Sequence, residues 1–230
     1  MSLYVETLIR ADLDLIWHRT QDPSQHERWD LRFTEISYLP RPAPHAPQRF
    51  RYATRLLPGL VVGGTGIAAG ERFRADGTRT SVLRFRSPHP LALLAHGHGY
   101  WRYVPTAAGV RFLTGYDYAP RWGRFGRLAD RLVLRPLMGW ATAWSFDRLR
   151  LWCERGITPA RALRNGLLEL ALRAAVIAVA AWCLPYAPAV AAVALAAAAV
   201  LPPLPGTPAA RRCLCRKQPA PNPLTRLEHP

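Results

Sequence analysis

Between Arg173 and Arg211 the chain passes 37 consecutive positions without a charged residue. Within that run, Ala174 to Leu201 holds 14 alanines, 5 valines, 3 leucines and one isoleucine, and Tyr186 brings the one hydroxyl. A stretch beyond about 18 apolar residues is a candidate for a membrane helix. Two features complicate a simple span. Alanine contributes little to insertion, and Pro185 and Pro188 each remove a helical donor, so together they favour a turn or a strong kink. Three readings follow: one kinked helix over 174–201, a helical hairpin turned at Pro185-Tyr186-Ala187-Pro188, or a soluble or interfacial Ala-rich segment. Charge discriminates between them. Arg161, Arg164 and Arg173 precede the run, and Arg211, Arg212, Arg216 and Lys217 follow it. A single span would strand one basic cluster outside, whereas a hairpin keeps both inside, as the positive-inside bias prefers. The sequence therefore predicts a hairpin with arms from near Gly166 and from Ala189 to about Leu204, and with Glu169 and Arg173 paired at i,i+4 near the interface.

The composition break near residue 160 divides the chain into a domain over 1–156, the hairpin over 157–205 and a basic, Pro-rich tail over 206–230. The tail is expected to be irregular. Net charge is +16, from 31 basic and 15 acidic side chains. Residues 1–156 carry +10 of it and 157–230 carry +6. Both parts can meet an anionic surface, and the basic flanks of the run suit a membrane with acidic lipids. Thirty of the 31 cations are Arg, a bias that with the alanine content suits a GC-rich bacterial genome. Met1 to Arg10 lacks the charged and apolar regions of a signal peptide, so the domain is expected on the cytosolic side of the inner membrane. Cys153, Cys183, Cys213 and Cys215 match no zinc spacing and no disulfide framework, and read as free thiols in a reducing compartment.

Inside 1–156 the periodicity changes twice. Tyr4 to Arg10 alternates as a strand. Asp12 and Asp22-Pro23 are start signals for two short helices, the second ending near Trp29. From Phe33 to Tyr118 the period is two, over about six strands. Phe50, Tyr52, Thr54 and Leu56 oppose Arg49, Arg51 and Arg55; Phe73 opposes Arg72 and Arg74; Leu83 and Phe85 oppose Arg84 and Arg86; Phe112, Thr114, Tyr116 and Tyr118 oppose Arg111 and Asp117. This predicts an antiparallel sheet with one wet and one aromatic face, turned at Asp76-Gly77 and Ala108-Gly109. After Pro120 apolar residues recur at helical spacing, from Phe125, Leu128 and Leu132 to Trp140, Trp144 and Leu151, with Pro136 as a possible kink. An aromatic sheet face must be covered, and this long helix is the expected lid.

The order and its residues resemble the START-related SRPBCC superfamily of polyketide cyclases and lipid-transfer domains, over roughly residues 3–156. The resemblance rests on Val5 to Ile9, on Ala11-Asp12-Leu13-Asp14-Leu15-Ile16-Trp17, on Asp22-Pro23 through Trp29, on Gly115-Tyr116-Asp117-Tyr118 and on Leu149 to Glu154. It implies an α+β helix-grip fold, a curved antiparallel sheet wrapped around a long C-terminal helix, with a cavity between them and no fixed catalytic group.

Other motifs are weaker. Val61 to Gly70 has the glycines of a dinucleotide loop, but the alternating Glu71 to Arg74 that follows is a strand, so close strand approach or a bulge explains them better. His96 and His98 share a strand face, with His89 nearby in sequence, yet ordinary polar roles suit them better than a metal. The strand arginines are spread as a solvated face, which argues against nucleic acid. No cofactor or metal is expected. The sequence thus predicts a membrane-tethered protein that binds a hydrophobic small molecule or lipid among Phe50, Tyr52, Thr54, Phe73, Phe85, Phe112, Thr114, Tyr116, Trp140 and Trp144. The alternative is a cyclase, aromatase or dehydrase using the same cavity, with Tyr116, His98 or Asp117 as acid-base groups.

Overall fold

A computed structural model describes residues 2–43, 45–57, 60–88 and 94–216. His89, Lys217 and the remainder of the Pro-rich tail lie outside the described residues. Strand β1 (Ser2–Ile9) leads into helices α1 (Leu13–Gln21) and α2 (Pro23–Trp29). Both helices begin where the sequence signals them. The Asp12 carboxylate accepts from the Asp14 and Leu15 amides, and the Asp22 carboxylate accepts from the Ser24 amide with Pro23 in the first turn. Strands β2 (Glu35–Tyr38), β3 (Arg49–Leu57), β4 (Leu60–Phe73), β5 (Arg79–Arg86), β6 (Leu94–Thr106) and β7 (Gly109–Pro120) follow. With β1 and a short β8 (Leu214–Arg216) they form one antiparallel sheet in the order β2-β3-β4-β5-β6-β7-β1-β8.

The C-terminal helix is not continuous. Helix α3 (Gly123–Ala129) passes through a π-helical turn (Asp130–Leu134) into α4 (Arg135–Arg155). One inserted residue rotates everything after it by about 100° around the axis. The expected stripe does not meet the sheet on either side of this turn. Met138, Ala143, Phe146 and Leu149 of α4 pack on the concave sheet face, against Leu3, Val5, Phe112 and Tyr116. Phe125, Leu128 and Leu132, which sequence periodicity assigns to the lid, point to solvent instead.

The core at the α1–α2 end is solid. Trp29, Tyr103, Phe112, Phe146 and Leu149 are fully buried. Phe112 packs 4.5 Å from Phe146 and 5.0 Å from Tyr103, ring centre to ring centre. A smaller cluster of Tyr4, Val82, Tyr100 and Leu113 sits on the convex face, with the Tyr100 ring laid over Gly115.

Helices α5 (Pro159–Cys183) and α6 (Pro188–Val200) form the expected antiparallel hairpin, turned at Leu184 to Ala187. Ala180 and Ala191 are buried, the small residues that let two helices approach. Arg173 pairs with Glu169 and also donates to the carbonyls of Ala198, Leu201 and Pro202, so it caps the end of α6.

The tail after the hairpin does not stand apart as expected. The carboxylate of Asp147 on α4, fully buried, accepts from the Ala209 amide at 2.8 Å, from Arg212 at 3.0 Å and from Arg150 at 2.7 Å. The Cys213 thiol donates to the Ala143 carbonyl, and Leu214 to Arg216 pair with β1. Residues 207–216 are thus part of the sheet domain, and both ends of the hairpin are anchored to it. The physical reason is a buried carboxylate that needs these donors.

Candidate functional site

The turn after α2 carries the polar centre of the concave face. Asp30 ends α2, and its side chain accepts from the Arg32 amide two residues on, a local turn that Asp adopts readily. Helix α4 holds this turn in place. Ser145 Oγ accepts from the Leu31 amide, and Arg148 donates to the carbonyls of Arg28 and Trp29. The Arg32 guanidinium then grips Asp30 from two nitrogens, Nε at 2.9 Å and Nη2 at 2.6 Å, and His26 Nε2 lies 3.1 Å from the same carboxylate. His26 is itself stacked on Trp29 and meets the edges of Phe33 and Trp101.

Burial alone would raise the Asp30 carboxyl. The charge of Arg32 and hydrogen bonds from Arg32 and His26 outweigh it, and hold the group below the ordinary carboxylate value. Burial likewise opposes the Arg32 charge, and Asp30 more than restores it. The guanidinium lies over two rings, 5.5 Å from Phe33 and 5.7 Å from Tyr116. The Tyr116 hydroxyl is 3.1 Å from Thr142 Oγ1 of α4, which in turn donates to the Met138 carbonyl. Burial raises the Tyr116 hydroxyl, with Arg32 and Thr142 opposing.

Beside this centre the concave face is aromatic and, among the described residues, open. Helix α4 lies over β1 and reaches β7 through Phe146 and Thr142, and no described helix covers the β3–β5 side, where Phe50, Tyr52 and Phe85 are half-buried. Their rings lie flat across glycines of the neighbouring strands. A methyl group at Gly64 would collide with Tyr52, at Gly66 with Phe50 and at Gly97 with Phe85. Gly64 and Gly66 of the Val61 to Gly70 run are therefore platforms for rings, and the run is strand β4 with no phosphate loop. Tyr52, whose ring meets Phe33 at 5.6 Å, has its hydroxyl pushed up to about 12 by burial. Phe50, Tyr52 and Phe85 thus floor a shallow trough among the described residues, with Phe33 beside Tyr52 and the largely buried Arg32 next to both Phe33 and Tyr116.

Phe50, Tyr52, Phe85 and Tyr116 thus come together at the trough, with Phe112 behind them in the solid core. The other expected positions fall elsewhere. Thr54 and Thr114 face inward, but Thr54 donates to the Arg32 carbonyl and Thr114 to the Tyr100 carbonyl, so each hydroxyl serves the backbone. Phe73 reaches the concave side beyond a register shift between Ala68 and Gly70, at the rim, where it meets Trp17 at 5.5 Å and stays largely exposed. Trp140 and Trp144 do not face Tyr116. They stack on each other at 6.2 Å, and Trp144 turns toward Gly166 of α5, because the sheet side of α4 is taken by Thr142, Ala143 and Phe146. His98 and Asp117, opposite each other in register, are one residue out of phase with Tyr116 and so stand on the convex face. His96 shares that face, and among the described residues no group of three or more His, Cys, Asp or Glu side chains could hold a metal.

The sequence reading missed Asp30 and Arg32. The available signal was an Asp-x-Arg turn directly after a helix; the burial that makes the pair consequential is not visible in the sequence.

A curved antiparallel sheet gripping a C-terminal helix defines this protein as an α+β helix-grip fold. No family model matches the chain. Among solved structures, it resembles the di-domain aromatase/cyclase StfQ of the steffimycin biosynthetic pathway at TM-score 0.51 and 14% identity, over 67% of this chain and 50% of that one. It also aligns with the Zhui aromatase/cyclase of Streptomyces sp. R1128 at TM-score 0.48 and 13% identity, over 68% and 97% of the two chains. At such identities the likeness is one of fold alone. A curated relative is the uncharacterized membrane protein YndG of Bacillus subtilis (strain 168), 48% identical over 167 residues and 72% of this chain. The chain spans 62% of that relative's length.

Proposed function

We propose that this protein is a membrane-attached binding protein for a hydrophobic small molecule or lipid, seated in the open trough with its polar end toward Arg32, Tyr116 and Tyr52. The observation that carries the reading is the floor of Phe50, Tyr52 and Phe85 laid flat on glycines beside a largely buried guanidinium. Flat rings over glycines make a shallow apolar bed, and Arg32, already fixed by Asp30, is a preorganised donor for a carbonyl or carboxylate. The cyclase-like alternative is supported by the fold likeness to aromatase/cyclases. Of its three candidate groups, Tyr116 alone faces the trough, which favours binding over acid-base chemistry.

Attachment is by the α5–α6 hairpin. Helix α5 is long and apolar enough to cross a membrane by length and composition. The returning α6 has 13 residues and rises about 20 Å, against a hydrocarbon core of about 30 Å. With Glu169 and Arg173 capping its base, the hairpin dips into the bilayer and returns, and the domain stays on one side. The cytosolic face of the inner membrane suits the basic flanks. The membrane-protein name of the curated relative agrees with this attachment.

The test is ligand retention by the full chain purified in mild detergent. Wild-type protein is expected to carry a co-purified apolar molecule in native mass spectrometry and to bind a fluorescent fatty-acid analogue after delipidation. Gly66→Val should push the Phe50 ring into the trough and reduce probe binding severely while unfolding stays cooperative. Neither a bound molecule nor probe binding in the wild type would defeat the proposal.

A further inference from the structure

The apolar stripe that sequence periodicity assigns to a lid is turned away from the sheet and left bare. Over Gly123 to Trp140, the side chains of Phe125, Leu128, Leu132 and Trp140 are exposed by 70%, 55%, 65% and 51%, and Val133 and Leu137 by more than half. Arg124, Arg127 and Arg131 are exposed along the same segment. Such a surface is costly in water, and a helix face with no partner among the described residues marks an interaction site. Its composition, apolar residues interleaved with arginine and closed by tryptophan, is that of a helix lying in a membrane interface.

The position of the segment agrees with that occupant. Helices α4 and α5 pair antiparallel: Arg148 reaches the Pro159 carbonyl at 3.0 Å, while Trp144, one turn earlier on α4, lies against Gly166, two turns later on α5. Following α4 toward its start therefore means following α5 toward Arg173 and the apolar arm of the hairpin. Trp140, stacked on Trp144, continues that direction, and the π-helical turn and α3 follow. The bare face thus lies toward the level at which the hairpin becomes wholly apolar. Its arginines are placed to meet anionic headgroups there.

We infer that Gly123 to Trp140 is a second membrane contact, an in-plane interfacial segment that lays Phe125, Leu128, Leu132 and Trp140 into the headgroup–acyl boundary of a bilayer containing acidic lipid. This rests on the hairpin reading for its geometry and makes a separate claim. Two points of attachment hold the domain at a fixed tilt, whereas a hairpin alone leaves it free to swing.

The experiment uses the full chain in vesicles of phosphatidylcholine with a minority of phosphatidylglycerol. A bimane label is placed singly by Leu128→Cys, Val193→Cys or Arg74→Cys, in a background whose four native cysteines are Ser and whose circular dichroism matches wild type. Bromine on lipid acyl chains is expected to cause loss of fluorescence at 128, while aqueous iodide leaves it unchanged; at 74, on the sheet rim, the reverse is expected. Iodide quenching at 128 together with bromolipid quenching at 193 would overturn this inference and leave the hairpin standing. Bromolipid quenching at 128 but not at 193 would remove the hairpin and, with it, overturn the two-point attachment. Protection of 128 from both quenchers would assign the face to a second copy or another protein, and overturn it. Combining Arg124→Gln, Arg127→Gln and Arg131→Gln should reduce the bromolipid signal at 128 and abolish its dependence on phosphatidylglycerol. Equal quenching in phosphatidylcholine alone would overturn the acidic-lipid assignment.

Discussion

Replacing Asp30 by Asn tests the polar centre most directly. The carboxylate is fully buried, and the Arg32 side chain keeps 12% of its exposure. The amide of the Asp30→Asn variant preserves the shape and one acceptor but leaves the guanidinium without its counter-charge. Breaking one partner of a buried pair costs about 3–5 kcal/mol. The residual exposure of Arg32 and the retained acceptor place this case at the lower end, about 3 kcal/mol. For a chain of this size that corresponds to a fall in Tm of about 6–12 °C. The assay is thermal unfolding of the full chain in detergent, followed by tryptophan fluorescence. Adding Arg32→Met should recover most of the loss, because the orphaned charge is gone. The pH dependence has a definite sign. Asp30 ionises more readily in the folded chain than in the unfolded one, where its value is 3.8. Its contribution is therefore full above pH 3.8 and is lost as pH falls toward the lower folded value. The gap between wild type and Asp30→Asn should be constant near neutrality and narrow in acid. A fall below about 3 °C, which is about 1 kcal/mol, or a double variant no better than the single one, would refute the buried-pair account.

Three further outcomes follow from the packing. Phe112→Ala, at the centre of the solid end of the core, should cost about 3–5 kcal/mol in the same unfolding assay; a loss near zero would mean that this end is not packed. Burial pushes the Cys213 thiol up to about 12, so it should resist alkylation near neutral pH in the folded chain. Arg212→Gln, which loosens the tail from Asp147, should make Cys213 reactive by mass spectrometry, and prompt wild-type labelling would argue against the docked tail. Trp144→Ala, between Arg148 and Gly166, should weaken the base of the hairpin and leave fatty-acid probe binding intact; loss of binding would return Trp144 to the trough.

Local rules carried much of this architecture. Asp12 and Asp22-Pro23 start helices because a carboxylate can satisfy free amides within three residues. The alternation at Phe50, Tyr52, Phe112 and Tyr116 declares a two-faced sheet because side chains in a strand alternate whatever lies beyond it. Pro185 and Pro188 turn the hairpin because they cannot continue a helix. Each of these needs only a few neighbouring residues.

What the tertiary structure decided lies where distant residues meet or where a periodic face must choose its partner. Asp30, Arg32, Tyr116 and Thr142 come from a turn, a strand and a helix, and no spacing connects them. The glycines at 64, 66 and 97 acquire meaning from rings on the strands beside them. Asp147 recruits the tail across some 60 residues of chain, which composition alone reads as irregular. The outward stripe shows the same limit. Helical spacing establishes that Phe125, Leu128 and Leu132 share a face, but not what that face meets. In the structure it faces away from the sheet on both sides of the π-helical turn, Trp140 included, because Ala143, Phe146 and Leu149 take the sheet side of α4.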